Sequence, residues 1–316
     1  MAPRIGFCYS GDGLRDRSTG LHAATLRLSL IICTRNRAKQ LEACLKHVRG
    51  LEAPPGGWQA VIVDNGSTDT TPDVIRAFAR SAPCDVTHVY EGLRGLSRAK
   101  NAGIAHASGD VCAFTDDDCY VRPDFLTQIC VALEASRAGY VGGRVILHDP
   151  TDAPVTIKES TSVQPLLPRC FLPVGVIHGA NMAVRRQVLQ DIGGFDPLLG
   201  AGSPLHSAED IEFLARACWA GWSGIYDPRP TVAHHHGRKS VPDVDRLRKG
   251  YEYGSGAYYL KGTLNPESRI IYLREWYWSM RHAVARRAPG SALRQLIGAG
   301  RYLALRLRSR QPIPRF

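Results

Sequence analysis

Three consecutive aspartates, Asp116-Asp117-Asp118, follow the apolar run Val111-Cys-Ala-Phe114 and precede the turn Val121-Arg-Pro-Asp124. Adjacent carboxylates repel one another, a cost that a cation offsets. An isolated acidic triplet reads as a solvated turn. At the end of a buried strand, its hard oxygens are better suited to a divalent ion, and Mg2+ keeps positions open for substrate phosphates. Farther on stands His234-His235-His236. Alternate residues of an extended segment share a face, so His234 and His236 can point together. Each taken alone also reads as a surface histidine with its hydrogen bonds satisfied; joining the carboxylates, one imidazole would tilt the ion from Mg2+ toward Mn2+.

Glu209-Asp210 heads an apolar-periodic segment. Negative charge is favoured at a helix N-terminus, so stability alone accounts for it. The chemical reading is that one carboxylate removes a proton from an incoming hydroxyl. The stretch Asp64-Asn-Gly-Ser-Thr-Asp69 is a turn sequence first, whose aspartate can also accept a hydrogen bond from a base N–H or a ribose hydroxyl. Leu96-Ser-Arg-Ala-Lys-Asn-Ala-Gly103 opens a helix with two cations, and its N–H groups could face a phosphate.

These groups need elements to position them. Leu28–Cys33, Ala60–Val63, Val86–Tyr90 and Val111–Phe114 are short, β-rich apolar runs. Helical spacing fills the intervals at 38–49, 72–80 and 96–107, which predicts a mostly parallel sheet. Ligands of such sheets lie beyond the carboxyl ends of the strands. Thr34–Arg37, Asp64–Asp69 and Asp116–Asp118 each directly follow an apolar run, and so fall there. Downstream, Tyr140–Leu147 reads as a strand and 148–175 as loop. Gly179–Val184 returns to the core before a helix at 185–191, and Ser207 opens a helix over 208–220. From about 241 the chain is basic, aromatic and helical. Residues 1–27 form an irregular lead-in.

The 316 residues carry 40 Lys+Arg against 29 Asp+Glu, a formal charge of +11, with ordinary globular hydrophobicity. No run approaches the 18 or so apolar residues of a membrane span. The N-terminus lacks an apolar segment ending in a small-residue cleavage site. Nine irregularly spaced cysteines give neither a disulfide framework nor a zinc ribbon. A cytoplasmic protein with reduced thiols is expected. Its positive charge suits a solvated basic surface or an anionic partner.

Taken in order, these pieces resemble the nucleotide-sugar glycosyltransferases of the GT-A fold, family 2, over roughly Leu28 to His236. The opening strand and polar loop are similar to Ser29-Leu-Ile-Ile-Cys-Thr-Arg-Asn-Arg37, and the D-x-S-x-D nucleotide loop to Asp64–Asp69. The small-residue helix is similar to Gly95–Gly103, with Lys100 where the family more often has Arg. The D-x-D motif is matched by Asp116–Asp118, G-x-N by Gly179-Ala180-Asn181, E-D by Glu209-Asp210, and the terminal histidine by His234 or His236. The resemblance implies a Rossmann-like nucleotide-binding mixed α/β sheet flanked by helices, with a C-terminal helical extension. It implies donor contacts from Thr34, Arg35, Asn36, Arg37, Asp64, Asn65 and Ser67. Further donor contacts are implied for Gly95, Ser97, Arg98, Lys100, Asn101, Asp116 and Asp117. The acceptor falls to Gly179, Ala180, Asn181 and Glu209. Metal ligation falls to Asp118, Asp116 and one of His234 and His236, and proton removal to Asp210 beside Glu209. The cofactor is Mn2+ or Mg2+.

The Q-x-x-R-W element of processive synthases is missing, so transfer of one sugar is expected, by inversion, from a nucleoside-diphosphate sugar (UDP first) to a glycan or lipid-linked acceptor. In its region Tyr251–Tyr259 reads as a packing segment, or as a lid hinged on its glycines with sugar-stacking tyrosines. The expected organisation is a lead-in (1–27), a catalytic domain (28–240, its nucleotide half 28–120 and acceptor half 121–240) and the extension (241–316). That extension covers the sheet and supports oligomer contacts, or lies peripherally on an anionic inner membrane surface. Two other functions compete. A sugar-nucleotide pyrophosphorylase is suggested by Gly11-Asp-Gly-Leu-Arg15, and a nucleic-acid-binding module by the charge, but neither uses the acids and histidines. No nucleic-acid partner is expected. A dinucleotide oxidoreductase would need G-x-G-x-x-G after the first strand.

Overall fold

The structure, a computed structural model, describes Arg17 and residues 25–309. Four parallel strands come first: β1 (Leu28–Thr34), β2 (Trp58–Asp64), β3 (Asp85–Tyr90) and β4 (Val111–Asp116). Between them run α1 (Ala38–Arg49), α2 (Thr71–Ala79) and α3 (Leu96–His106). Then follow β5 (Cys119–Val121), α4 (Phe125–Ser136), β6 (Tyr140–Leu147), β7 (Gln164–Leu166), β8 (Met182–Arg185) and α5 (Arg186–Ile192). The last elements are α6 (Glu209–Trp219), β9 (Gly224–His234), α7 (Val241–Leu264), α8 (Arg269–Ala285) and α9 (Pro289–Ser309). One sheet holds all the strands in the order β3-β2-β1-β4-β8-β6-β9-β5, with β7 added on β9.

Alternation along the strands explains the layers. Leu28, Leu30 and Ile32 enter a core with Leu41, Cys44, Leu45 and Val48 of α1. Ile31 faces the opposite way, into the core that holds Ala99 of α3 and Phe114. A strand apolar on both sides must be covered on both. Register then fixes the chemistry: Thr34 lies opposite Asp64 and Cys33 opposite Asp116, so the polar loops emerge at one edge.

The mostly parallel expectation holds only for this half. β8 runs antiparallel to β4 and β6, and β5 and β7 run antiparallel to β9, so the whole sheet is mixed. The expected loop at 148–175 contains β7 and a bridge from Lys158 to Val145. Both are too short to show a period. α4 and β5 are elements beyond those the sequence predicts, and β5 has only three residues. Of the lead-in, Arg17 and residues 25–27 are described, and Gly11–Arg15 lies outside the described residues.

Two further expectations change. Ser207 does not cap α6: its Oγ donates to the Gly250 carbonyl, and Ala208 in the left-handed region precedes the helix. The glycines of Tyr251–Tyr259 are not hinges, because they lie inside α7. A Cβ at Gly254 would stand 2.2 Å from Ser207 Oγ, and one at Gly256 1.8 Å from the Gln295 carbonyl. They let α7 pack against the 207 loop and α9. Tyr258 and Tyr259 pack on Phe171 within the core.

A buried ionic network ties these last helices to α6. Lys261 of α7 is 3.1 Å from Asp196 and also pairs with Glu212, which accepts from Arg216 Nε at 2.8 Å. Asp196 accepts from Tyr302 at 2.7 Å and pairs with Arg306, both on α9. Removing one member of a buried ion pair leaves an uncompensated charge. Lys261→Ala is therefore expected to lower unfolding stability by about 3 kcal/mol. Urea denaturation checks it; a loss well under 1 kcal/mol would show that the lysine holds nothing together.

Candidate active site

A cavity of about 580 Å3 opens at the carboxyl ends of the strands, a volume suited to a small-molecule ligand. Asp116, Asp117 and Asp118 form part of its wall, and Glu209 and Asp210 from the start of α6 form another. Residues about ninety positions apart in the chain thus face one space.

The acids differ in their partners. Arg37 bridges two of them, with Nη1 3.2 Å from Asp117 and Nη2 2.6 Å from Asp118. Thr34 donates to Asp117 at 2.7 Å. Burial, only partly countered by Arg37, pushes the Asp117 carboxyl up to about 7. Burial acts on Asp118 in the same sense, but the hydrogen bond from His234 and the Arg37 charge outweigh it and hold this carboxyl well below the usual range. His234 Nε2 is 3.4 Å from Asp118, and burial, which would lower its pKa, is overcome by that carboxylate, so the imidazole is shifted upward. Asp116 is raised, chiefly by burial.

Asp118 and His234 offer ligand atoms to one point, together with Cys119 Sγ. Burial keeps the Cys119 thiol protonated, leaving a carboxylate–imidazole donor set that fits Mn2+ or Mg2+. Thr156 Oγ1 lies 3.2 Å from His234 Nδ1, the kind of outer contact that orients a ligating imidazole.

His236 goes elsewhere. β9 ends at His234, and at Gly237 the chain enters the left-handed region. Although the two rings are 5.1 Å apart, His236 Nδ1 accepts from the Arg238 N–H at 2.9 Å and Nε2 lies 3.1 Å from the Ala153 carbonyl. Nδ1 also lies 3.6 Å from Asp152, so both its nitrogens are engaged away from Asp116–Asp118.

At the opposite wall, Lys100 lies 3.1 Å from Glu209, with both side chains almost wholly buried. Burial disfavours both charges. For Lys100 the acids outweigh it and the ammonium is held above its usual range, whereas Glu209 is shifted up. Asp210 has no ion pair among the described residues. Its Oδ2 accepts from the Gly179 N–H at 2.9 Å, and its Oδ1 from its own helix at Ile211. A Cβ at Gly179 would stand 2.9 Å from Lys100 Nζ and 3.4 Å from Asp210, so this loop packs closely on both side chains.

Thr34, Arg35, Asn65, Gly95 and Ala180 also line the cavity. Other sequence-derived candidates stand behind it. Asn36 and Ser67 knit their two loops together, Asn36 Oδ1 accepting from Thr68 N at 2.7 Å and Ser67 Oγ from Asn36 N at 2.9 Å. Asp64 accepts from Ser67 N at 2.8 Å. Ser97 donates to the Leu199 carbonyl, Asn101 binds the backbone of Phe195, and Asn181 ties the carbonyls of Arg144 and Pro230. Arg98 is absent from the lining. Sequence reading missed Thr156, His178 and Arg238, all in the wall. His178 is lowered to about 4 by burial, hence neutral. None stands in a motif; the return of the 156–178 segment over the strand ends brings in Thr156 and His178, and the turn after β9 brings in Arg238.

Residues 29–193 match the family described as Glycosyl transferase family 2, and residues 113–305 match Glycosyl transferase family group 2. The glycosyltransferase AglE of Haloferax volcanii is 26% identical over 229 residues, 72% of each chain. A pre-mycofactocin glycosyltransferase of Mycobacterium tuberculosis is 27% identical over 239 residues, which are 73% of this chain and 47% of that one. This chain thus spans about half the length of that relative. Among solved structures, a mannosyltransferase from Pyrobaculum calidifontis in complex with GDP-Man and Mn2+ is similar with a TM-score of 0.62 at 22% identity. The match covers 88% of this chain and 76% of that one. TarS of S. aureus in complex with UDP reaches 0.53 at 17% identity, over 72% and 65%. The mixed sheet flanked by helices is the GT-A architecture of these neighbours. The chain belongs to glycosyl transferase family 2 and is a glycosyltransferase of the GT-A fold.

Proposed function

We propose that this glycosyltransferase is metal-dependent and inverting, moving one sugar from a nucleoside-diphosphate sugar to a hydroxyl of a glycan or lipid-linked acceptor. The observation that carries the reading is the meeting of Asp116–Asp118 and Asp210 around one cavity. The GDP-Man and Mn2+ bound by the Pyrobaculum neighbour, and the UDP bound by TarS, support the donor class and the ion. UDP is our first choice of nucleotide, with GDP and dTDP next.

The acceptor hydroxyl attacks the anomeric carbon as the sugar–phosphate bond breaks. Asp210 takes the hydroxyl proton, because it is the member of the Glu209-Asp210 pair without a cation. Glu209, fixed by Lys100, holds the start of α6 and borders the acceptor. Asp118 and His234 would hold a divalent ion, which would supply Lewis-acid charge to the diphosphate. Thr34, Arg35 and Asn65, which line the cavity, hold base and ribose with the rest of their loops behind them, and Gly179 and Ala180 shape the acceptor side.

A lipid-linked acceptor would bring the enzyme to a membrane, and the C-terminal helices suit that contact. Ile270, Leu273, Tyr277 and Val284 form an exposed stripe on α8, and Leu293, Leu296, Ile297 and Leu307 are exposed on α9. Arginines flank both, and Glu275 is the sole acid of these helices, paired with Arg274. Such faces lie in anionic lipid interfaces. Among the described residues no helix is long and apolar enough to cross a membrane.

Asp210→Asn is expected to lower kcat by about 10²–10⁴-fold, with nucleotide-induced thermal stabilisation unchanged; retained turnover removes Asp210 from the base role. EDTA should abolish transfer and Mn2+ restore it, and full activity in chelator would count against the ion. Flotation with phosphatidylglycerol vesicles, but not with neutral phosphatidylcholine ones, should fall when Leu273, Tyr277, Leu293 and Ile297 become serine. Unchanged flotation leaves α8 and α9 as cover for the sheet.

A further inference from the structure

The cavity wall contains the cations Arg35, Arg37, Arg94, Lys100 and Arg238. Arg37 and Lys100 are committed to Asp117, Asp118 and Glu209. The Arg35 guanidinium donates to the carbonyls of Asn65 and Gly66. Arg94 is exposed at the rim. Arg238 is different. It is half-buried, its side chain has no hydrogen bond or ion pair among the described residues, and its charge acts on both His234 and Tyr251 across the cavity.

Its backbone is held with care. Gly237, at φ +66°, donates its N–H to Asp152 at 2.8 Å. The Arg238 N–H goes to His236 Nδ1 at 2.9 Å, and the Arg238 carbonyl accepts from Ala153 N at 2.8 Å. With Nδ1 accepting, His236 carries its proton on Nε2, which faces the Ala153 carbonyl. The His236 and Asp152 side chains are completely buried. A histidine so engaged has no lone pair to offer a cation; it serves to fix a turn.

We infer that Asp152 and His236 are positioning residues that hold the 236–238 turn so that the Arg238 guanidinium binds the diphosphate of the donor sugar. This rests on the proposed nucleotide-sugar reading and gives the cationic role at the diphosphate to a residue that no motif marks. When the anomeric C–O bond breaks, its electron pair passes to the diphosphate oxygen while the acceptor oxygen bonds to carbon and its proton goes to Asp210. One additional negative charge develops on the leaving group, beside Arg238. Charge-assisted bonds of guanidinium to phosphate are strong and directional.

Calorimetric titration with UDP, GDP and dTDP, each against its monophosphate and with Mn2+ present, tests this without turnover. For the diphosphate that binds tightest, Arg238→Ala should weaken affinity about 10- to 100-fold, leave the monophosphate within about twofold, and be partly rescued by Arg238→Lys. His236→Ala should weaken the diphosphate in the same direction while Mn2+ affinity stays that of the wild type; His234→Ala should lose Mn2+ affinity. Equal losses for di- and monophosphate, no loss in Arg238→Ala, or lost Mn2+ affinity in His236→Ala would overturn the inference. A wild-type protein that binds no diphosphate more tightly than its monophosphate would overturn the donor reading, and this inference with it.

Discussion

Acidic side chains crowd one partly buried cavity, and that crowding is tolerable only because the rest of the molecule supplies opposing charge at fixed points. Arg37 sits between Asp117 and Asp118, His234 against Asp118, and Lys100 against Glu209. Each partner comes from a different part of the chain: the loop after β1, the end of β9 and the interior of α3. The cost of burying charge is met only if all three elements are in register. What remains without a cation is as informative as what is matched. Asp210 is restrained by backbone N–H groups alone, which leaves an acceptor free to take a proton.

This arrangement assigns separate tasks to neighbours in sequence. Glu209 and Asp210 are adjacent, yet one is locked in a buried pair and the other borders open space. His234 and His236 are two apart, yet one faces a carboxylate and the other pins a turn. Helix geometry sends the first two in different directions, and the end of a strand does the same for the histidines. The ionic network around Lys261 reaches α6 at Glu212, so the first turn of that helix is held by buried ion pairs at both Glu209 and Glu212.

Much of this was legible in the sequence. The apolar runs at 28–33, 60–63 and 111–114 have no polar face, which requires cover on both sides and therefore a sheet between helices. Polar loops placed directly after those runs put the candidate site at the strand ends. The second half was less legible. β5 and β7 have three residues each, too short for a period, and the antiparallel returns depend on pairings distant in sequence. The glycines of α7 read as hinges because their contact partners, the 207 loop and α9, lie far away in the chain.

The sequence by itself determined the residue types and the strand ends that present them: acids, amides and a histidine in an order that marks a glycosyltransferase. Only the tertiary structure decided which of those groups are engaged. Whether Lys100 reaches Glu209 or a phosphate, and whether His236 meets Asp118 or Arg238, turns on distances of a few ångströms between segments linked by no local pattern. Hydrogen bonds and ion pairs fall off over that same range, so the choice belongs to packing.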